Sequence, residues 1–423
     1  MQSFLRTKGH SPRRYAALGA ATAGVLLLAA CAGGGTAAPS GSNGPDEGAS
    51  DDTLYIGTVL PQTGNLAFLG PPEFAAVDLA QKELEAAGYP YTVEVNHQDS
   101  GDTQTDIATQ STGTLVSAGA DVIIGAASSG VSFTFIDQVI DAGIVQISPA
   151  NTSPDFTDYE DNGYYWRTAP SDVLQGRVLG NLMVADGAAT VGFITINDPY
   201  GTGLQENAQM AIEAAGGTVT TSALYNPGDT NLSTQVSEVM SDSPDAIGIL
   251  AFAETAQIVP ELVKQGFDPS GMYFVDGNLS NSYNFPEGTL EGAKGTLPGN
   301  PADDTFRERL LEVDPDLEDF SYGPESYDAV VLAALAAVQG GSPDSDTIRD
   351  NMQSVSEGGT KCESIEDCLA LLEDGEDIDY DGVSGPITFD ENGDPTEAYI
   401  GIFQYGADNQ YSFVRTEFGS LNE

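Results

Sequence analysis

The sequence is poor in histidine, cysteine and basic residues. It contains two histidines and three cysteines in 423 residues, and His10 falls in an N-terminal leader, which leaves His97 as the only histidine of the folded part. One histidine excludes a histidine-based catalytic triad and a zinc site with several histidine ligands. Because a P-loop and a complete G-x-G-x-x-G fingerprint are also missing, we expect neither a cofactor nor catalysis.

Basic side chains are few, whereas acidic ones are abundant. Four of the 14 lysines and arginines lie within the first 14 positions, so the rest of the chain sets 10 basic residues against 64 acidic ones. A surface this negative excludes nucleic acid and anionic lipid as partners of the folded body. It indicates a strongly solvated surface that suits an exposed environment.

Residues 1–30 are typical of an export signal. A basic stretch precedes an apolar run, Ala16 to Ala30, that is short and alanine-rich for a membrane-spanning helix. The run ends in Leu28-Ala29-Ala30-Cys31, which resembles the bacterial lipobox, whose cysteine is lipidated and becomes the first mature residue. We therefore expect Cys31 to anchor the protein at the extracellular face of the cell membrane. A plain signal peptide with a chance cysteine is the alternative, and Arg13-Arg14 leaves the export route, Sec or twin-arginine, open.

Residues 31–52 consist mainly of Gly, Ser, Ala, Pro and acidic residues, which predicts a flexible tether. Beyond the tether, strands and helices alternate with the spacing of βαβ units from Leu54, and the series restarts after Tyr164–Arg167 and continues to Val275. This pattern predicts an α/β protein with two doubly wound lobes. We expect Asn278 to Asp304 to form a loop between lobes, and Ala398–Gln404 to pair with Tyr411–Arg415 as a hairpin.

Cys362 and Cys368 are the two cysteines of the folded part. In an exported chain an even pair favours a disulfide, with two free thiols as the alternative. Residues six apart on one helix are separated by about 9 Å along its axis, which is too far for a disulfide. We therefore expect a turn between them, with Ser364 as the N-cap of a following helix.

The stretch from Val122 to Pro154 predicts a strand, a serine-rich turn, a helix, a second strand and a second polar turn. Its two turns are expected side by side at the carboxyl ends of adjacent parallel strands, where open α/β sheets bind ligands. Ser128 and Ser129 fall at the start of the helix, whose free N–H groups suit a small anion such as a carboxylate. The alternative is that Ser128 is only an N-cap and the second turn only a connection.

Three aromatic residues follow predicted strands or lie between the lobes. They are candidates for the walls of an apolar pocket, with packing in the core as the alternative: Tyr200, Phe252 and Tyr322.

An acidic run, Asp377 to Gly382, matches the first half of a calcium loop. The twelfth position is Thr388, where calcium loops of this kind have a bidentate carboxylate. A solvated acidic loop is therefore the better interpretation, and we expect no metal site.

Seven segments, in this order, resemble the leucine/isoleucine/valine-binding family of type I extracellular solute-binding proteins, the capture subunits of ABC importers. They are IGTVLPQTGNLAFLG, VIIGAASSG, ISPANTSP, YWRTAPSDVLQG, NDPYGTG, SYDAV and GVSGPITFDENGD, spread from Ile56 to Asp394. The resemblance implies two lobes joined by a three-strand hinge. Lobe 1 would comprise residues 53–168 and 294–397, and lobe 2 residues 169–293 and 398–423.

The resemblance also implies ligand contacts at specific positions. Ser129 would hold a ligand carboxylate beside Ser128, and Ala150 and Thr152 would hold the polar end of the ligand. Tyr200 would close over the ligand from lobe 2, with Phe252 and Tyr322 near aromatic wall positions. The acid opposite a ligand ammonium would be Asp276, although an ungapped count reaches Asn278 instead.

The function that these features favour is a tethered, monomeric substrate-binding protein of an ABC importer, working with a permease and an ATPase. Its ligand would be a small polar solute, such as a branched-chain or other amino acid or a related amide or carboxylate. A ligand-sensing module that reports to a membrane partner uses the same cleft and is the alternative. A hydrolase using Asp99 or Asp198 is a third hypothesis, disfavoured because neither carboxylate has a base or nucleophile beside it.

Overall fold

A computed structural model of the chain describes residues 52–421. The predicted signal peptide, Cys31 and nearly all of the tether lie outside the described residues. No helix within residues 52–421 is both long and apolar enough to cross a membrane.

The first lobe is built on a five-stranded parallel sheet in the order β2-β1-β3-β4-β5. β1 and β3 are mainly apolar along their buried stretches, as expected for parallel strands covered by helices. The elements are β1 (Thr53–Leu60), α1 (Gly70–Ala87), β2 (Thr92–Asp99), α2 (Ile107–Ala118), β3 (Val122–Gly125), α3 (Ser129–Ser132), α4 (Ile136–Ala142), β4 (Val145–Ser148) and β5 (Tyr165–Arg167).

The chain then crosses to a second lobe and repeats the βαβ plan. Its elements are α5 (Asp172–Ala185), β6 (Thr190–Ile196), α6 (Pro199–Ala214), β7 (Thr218–Tyr225), α7 (Ser233–Met240), β8 (Ala246–Leu250), α8 (Thr255–Lys264), β9 (Met272–Phe274) and β10 (Lys294–Pro298). The prediction of an unbroken loop over 278–304 is therefore wrong, because β10 pairs in parallel with β9. β10 therefore lies in the sheet of the second lobe, within the segment 294–397 that was expected for lobe 1. Lys294-Gly295-Thr296 has a loop-like composition, and β10 forms because neighbouring strands satisfy its backbone.

After β10 the chain returns to pack on the first lobe. The returning elements are α9 (Asp304–Val313), α10 (Gly323–Gly340), α11 (Ser345–Asn351), β11 (Thr360–Cys362), α12 (Ile365–Glu373), β12 (Ile378–Gly382) and β13 (Gly385–Pro386). The first four turns of α10 contain many alanines and are buried on all sides. A helix that is apolar all round is buried all round, and its small side chains allow α1 to pack closely beside it.

A third crossing leads to the C-terminal hairpin, β14 (Glu397–Tyr405) and β15 (Tyr411–Ser420), which is antiparallel as predicted. Because β14 also pairs antiparallel with β10, the second sheet has seven strands in the order β15-β14-β10-β9-β8-β6-β7. Two α/β lobes linked by three crossings confirm the predicted fold class.

A buried ion pair joins the first and third crossings. Arg167, at the end of β5, donates from Nε to Asp394 Oδ1 at 2.6 Å and from Nη2 to Asp394 Oδ2 at 2.8 Å. Its Nη1 donates to the backbone carbonyls of Ser153 at 2.7 Å and Asn151 at 3.3 Å. The bidentate contact thus fixes two crossings together with the loop that follows β4.

The acidic run that partly matches a calcium loop forms β12 instead. Asp379 and Asp381 lie on the side of this strand that faces Lys361, at 3.3 and 2.8 Å from its ammonium group. Within residues 52–421 no group of three or more histidine, cysteine or acidic side chains is arranged to hold a metal ion.

The predicted disulfide between Cys362 and Cys368 is confirmed, with a Cα–Cα distance of 5.4 Å. Cys362 ends β11 and Cys368 lies in α12, so the two residues are not on one helix. The predicted N-cap is also confirmed, since the Ser364 side chain accepts from the N–H of Asp367.

Replacing both cysteines with serine should lower the free energy of unfolding by about 2 kcal/mol, because the open chain regains the entropy that closure of this short loop removes. Urea denaturation of the folded body measures the effect. Wild-type protein in reductant should match the double variant. Equal unfolding midpoints for oxidised wild type and variant would contradict the prediction, as would free thiols at both positions in the exported protein.

Candidate ligand-binding site

A small enclosed cavity lies between the lobes. All of its lining residues except Tyr322 follow the carboxyl end of a parallel strand, which is where α/β sheets place ligands. They are Leu66, Leu69, Ala127, Ser128, Ser129, Ala150, Tyr200, Phe252, Asp276, Gly277 and Tyr322. The cavity volume is about 10 Å³, enough for roughly one water-sized sphere. A larger solute therefore enters only when the lobes move apart.

Ser128 and Ser129 form one wall, on the loop after β3. The side chain of Ser128 caps α3 by accepting from the N–H of Val131 at 3.4 Å. Ser129 Oγ accepts from the N–H of Ser153 at 3.3 Å. Because each hydroxyl accepts here, its own hydrogen remains available for donation. The helix predicted after this turn is present in two pieces, the single turn α3 and the longer α4. Hydroxyl and local N–H groups therefore matter more here than a helix dipole.

Ala150 and Thr152 lie on the loop after β4, but only Ala150 lines the cavity. The Ala150 N–H already donates to Ser148 Oγ at 3.3 Å. Thr152 is fully buried, and its hydroxyl lies beside the Asp172 carboxyl without a well-formed hydrogen bond. Its carbonyl accepts from the N–H of Asp172 at 2.7 Å. Thr152 therefore faces the start of α5 and not the cavity.

Tyr200 and Phe252 form the opposite wall, from the second lobe. Tyr200 lies in the first turn of α6, which Asp198 caps by accepting from the N–H of Gly201 at 2.8 Å. Phe252 follows β8, and the two rings are stacked with centroids 5.3 Å apart and planes 12° apart. Both are nearly fully buried. They serve as core packing and as cavity wall at once.

Asp276 is the charged residue of the cavity. Its Oδ1 accepts from the Tyr200 hydroxyl at 2.8 Å and from Gln175 Nε2 at 2.9 Å, and its Oδ2 accepts from the Tyr322 hydroxyl at 2.8 Å. Burial raises its pKa above the usual value, an effect that these three donors oppose. Since each carboxylate oxygen accepts about two hydrogen bonds, Oδ2 has room for one more donor.

Asn278 does not line the cavity. Its amide donates to the Ile249 carbonyl at 2.8 Å and to the Thr255 hydroxyl at 2.9 Å, and its carbonyl accepts from the N–H of Val275 at 2.8 Å. These bonds hold the turn after β9 inside the second lobe. Of the two candidates for an ammonium contact, only Asp276 reaches the cavity.

The acidic side of the site extends beyond Asp276. Asp172, in the first turn of α5, is fully buried and neither of its carboxyl oxygens has a hydrogen-bond partner in the described part of the chain. Burial, and then the nearby charge of Asp276, raises the pKa of Asp172 well above its usual value. This side of the cavity therefore favours a ligand group that donates hydrogen bonds or carries positive charge.

Several residues of the site escaped sequence reasoning. Leu66 and Leu69 lie on the loop after β1, and Gln175 lies on α5. All three fall inside segments that carry the family resemblance, which was the only signal that could have identified them. Their individual roles depend on how loops from distant parts of the chain meet.

Two α/β lobes joined by three crossings, with a small cavity at the carboxyl ends of their strands, define a class of protein that closes around a small ligand. The family model described as periplasmic binding protein matches residues 53–409. The chain therefore belongs to the periplasmic binding protein family, in the type I form that its sequence motifs resemble.

Two named relatives match the sequence of this chain over nearly their whole length. Leu/Ile/Val-binding protein homolog 2 of Brucella abortus (strain 2308) is 25% identical over 408 residues, covering 93% of this chain and 98% of its own length. The leucine-specific-binding protein of Salmonella typhimurium is 26% identical over 382 residues, covering 87% and 95%.

Solved structures share the fold. The leucine binding protein LivK of Thermotoga maritima has a TM-score of 0.70 at 22% identity, covering 86% of this chain and 98% of its own. LivJ of Streptococcus pneumoniae, in complex with isoleucine, has a TM-score of 0.68 at 20% identity, covering 87% and 99%. A solute binding protein of R. palustris, in complex with benzoate, has a TM-score of 0.66 at 17% identity, covering 86% and 96%.

Asp198, which caps α6, should make stability depend on pH. Burial is the main cause that raises its pKa from 3.8 to about 6. The folded state thus holds a proton that the unfolded state releases, so stability falls as the pH rises between these two values. In Asp198→Asn, which keeps a good N-cap, this component should disappear. Urea unfolding at a series of pH values tests this, and identical pH profiles for variant and wild type would contradict it.

Proposed function

We propose that the protein is the substrate-binding protein of an ABC importer, tethered at the extracellular face of a bacterial cell membrane, and that it captures a branched-chain or related amino acid. The observation that carries this proposal is the buried Asp276 carboxyl, which lines the cavity with one acceptor position free on Oδ2. No lysine or arginine in residues 52–421 forms an ion pair with it. A ligand ammonium would supply the missing positive charge.

The opposite wall suits a carboxylate. Ser128 and Ser129 both accept hydrogen bonds from backbone N–H groups, which leaves their hydroxyl hydrogens for a ligand. A zwitterion bound across the cavity would place its carboxylate on the first lobe and its ammonium on the second. The carboxylate would bind to the first lobe while the cleft is open, and the ammonium would reach Asp276 only when the lobes close, which couples full binding to closure.

The rest of the lining is apolar. Leu66 and Leu69 from the first lobe and the ring of Phe252 from the second flank the polar groups. Burying an aliphatic side chain of the ligand against them contributes about 25 cal/mol per Å² of apolar surface. This combination favours leucine, isoleucine or valine over a polar amino acid, in line with the ligands named for the relatives from Brucella and Salmonella.

The two carboxylates considered for hydrolysis have structural roles. Asp99 accepts from the N–H groups of Gln62, Thr63 and Gly101 and from the Thr63 hydroxyl, which closes the loop after β1. Asp198 caps α6. Because the hydrogen bonds of both carboxylates serve to hold loop and helix structure, binding without catalysis is the function that we propose.

Ligands that lack either the ammonium or the carboxylate of leucine test the two ends of the site one at a time. Ser129→Ala should weaken leucine and isocaproate, which lacks the ammonium, about ten- to hundredfold, because a charge-assisted hydrogen bond contributes about 1.5–3 kcal/mol. Asp276→Asn should weaken leucine and isopentylamine, which lacks the carboxylate, and leave isocaproate unchanged. Calorimetry on the body without the leader gives all affinities. Wild-type affinity for leucine in both variants would contradict the proposed cleft.

The tether depends on Cys31. Cys31→Ser should leave the protein unlipidated. In detergent phase partitioning the variant should then be found in the aqueous phase, whereas the wild-type protein should be found in the detergent phase. Incorporation of labelled fatty acid is the direct measurement. A wild-type protein that remains unlabelled and aqueous would show that Cys31 is not an anchor.

A further inference from the structure

A second cavity lies beside the crossings, outside the ligand-binding site described above. It has a volume of about 330 Å³, at the lower end of the range of roughly 300–1,000 Å³ for small-molecule sites. One wall comes from residues 318–325, which lead into α10, and the other from β10, β14 and β15 of the second lobe. We call it the crossover cavity. Its walls belong to different lobes, so its shape depends on the angle of the hinge.

Glu325 lines the crossover cavity, and no lysine or arginine among residues 52–421 forms an ion pair with it. Its side chain is 2% exposed, and its Oε1 has no hydrogen-bond partner among residues 52–421. The carboxyl lies against Gly299, where φ is +82° and an added Cβ would approach Oε1 to 1.7 Å. Glycine is therefore required at this position if the carboxyl is to stay in place.

A second buried carboxyl lies close to Glu325. Glu73, in the first turn of α1, is fully buried with no partner on either oxygen in the described chain. Burial, and then the charge of Glu325, raises the pKa of Glu73 well above its usual value. Two unpaired buried carboxyls next to each other are costly when ionised, and a nearby cation would relieve that cost.

The remaining charges of the crossover cavity are also mainly negative. Glu318 and Asp319 face a single guanidinium, Arg307, which is stacked over the Phe320 ring with its carbon 5.2 Å from the ring centroid. Asp319 is already bound by the N–H of Ser321 at 2.8 Å. Glu318 is exposed at the rim, so water screens its charge. Burial raises the pKa of Asp319 and of Glu325, and a positively charged guest beside them would favour their ionised forms.

Aromatic rings complete the cavity. Phe403, Tyr411 and Phe413 line it from the second lobe, and Tyr322 lines it from the segment before α10. The faces of such rings attract cations, most strongly those with weak hydration, such as alkylated ammonium ions. Carboxyl and aromatic groups together therefore suit an organic cation.

We propose that the crossover cavity binds a small organic ammonium ion, which pairs with Glu325 and contacts both lobes. Tyr322 links this site to the cleft, because the same residue lines both cavities and its hydroxyl donates to Asp276. An ion that contacts both lobes in their closed arrangement stabilises that arrangement. Linkage then requires that the ion and the cleft ligand raise each other's affinity by the same factor, about 5 to 150 in typical cases.

Tetramethylammonium is the probe, since it has no N–H to donate to Asp276. Calorimetry on the whole folded body, with sodium chloride at equal ionic strength as reference for diffuse charge, should show one saturable site in wild type. Glu325→Gln should weaken the probe at least tenfold. Glu318→Gln, which removes an exposed carboxyl from the rim of the same cavity, should bind within about twofold of wild type. No saturable binding to wild type, or equal binding to Glu325→Gln, overturns the proposal.

Three further measurements guard against ambiguous results. Phe413→Ala removes a ring that is 51% exposed, so it should fold normally and still weaken the probe severalfold. Asp276→Asn should keep the probe site, and loss of probe binding in that variant alone would move the ion into the cleft and overturn the proposal.

Saturating probe should raise leucine affinity in wild type and not in Glu325→Gln. An unchanged leucine affinity in wild type overturns the coupling.

Discussion

The structure depends on one buried contact, the bidentate pair of Arg167 and Asp394. Both side chains are at most 1% exposed, so removing either partner would leave an uncompensated charge at a cost of about 3–5 kcal/mol. The pair holds the first and third crossings together, and Arg167 also binds two carbonyls of the loop after β4. That loop carries Ala150, so the hinge and one wall of the cleft are fixed by the same guanidinium.

A second charge organises the other wall. Asp276 accepts hydrogen bonds from a hydroxyl group on α6, from a hydroxyl group in the segment before α10 and from an amide on α5. The contact with Tyr322 joins the second-lobe carboxylate to the helix that forms the core of the first lobe. The closed arrangement is thus stabilised around a carboxylate that still has a free acceptor position.

Sequence reasoning predicted much of this architecture because local rules decide it. The βαβ alternation, the Ser128 and Ser364 caps, the C-terminal hairpin and the disulfide follow from periodicity, hydrogen-bonding capacity and chain geometry. Strand β10 was missed for the opposite reason. Its five residues have no strand-like pattern, and only the edges of β9 and β14 make them a strand.

The sequence by itself determined the two-lobed α/β fold, the acidic surface and the edge of each sheet at which a ligand would lie. Only the tertiary structure decided which side chains meet there, because the cavity combines loops from six strand ends with one residue that precedes α10. In the folded structure Thr152 lies beside Asp172, and Gln175 donates to Asp276. The Asn278 amide is hydrogen-bonded within its own lobe. Those outcomes depend on contacts between residues up to about a hundred positions apart or across the lobe interface, and no local pattern encodes such distances.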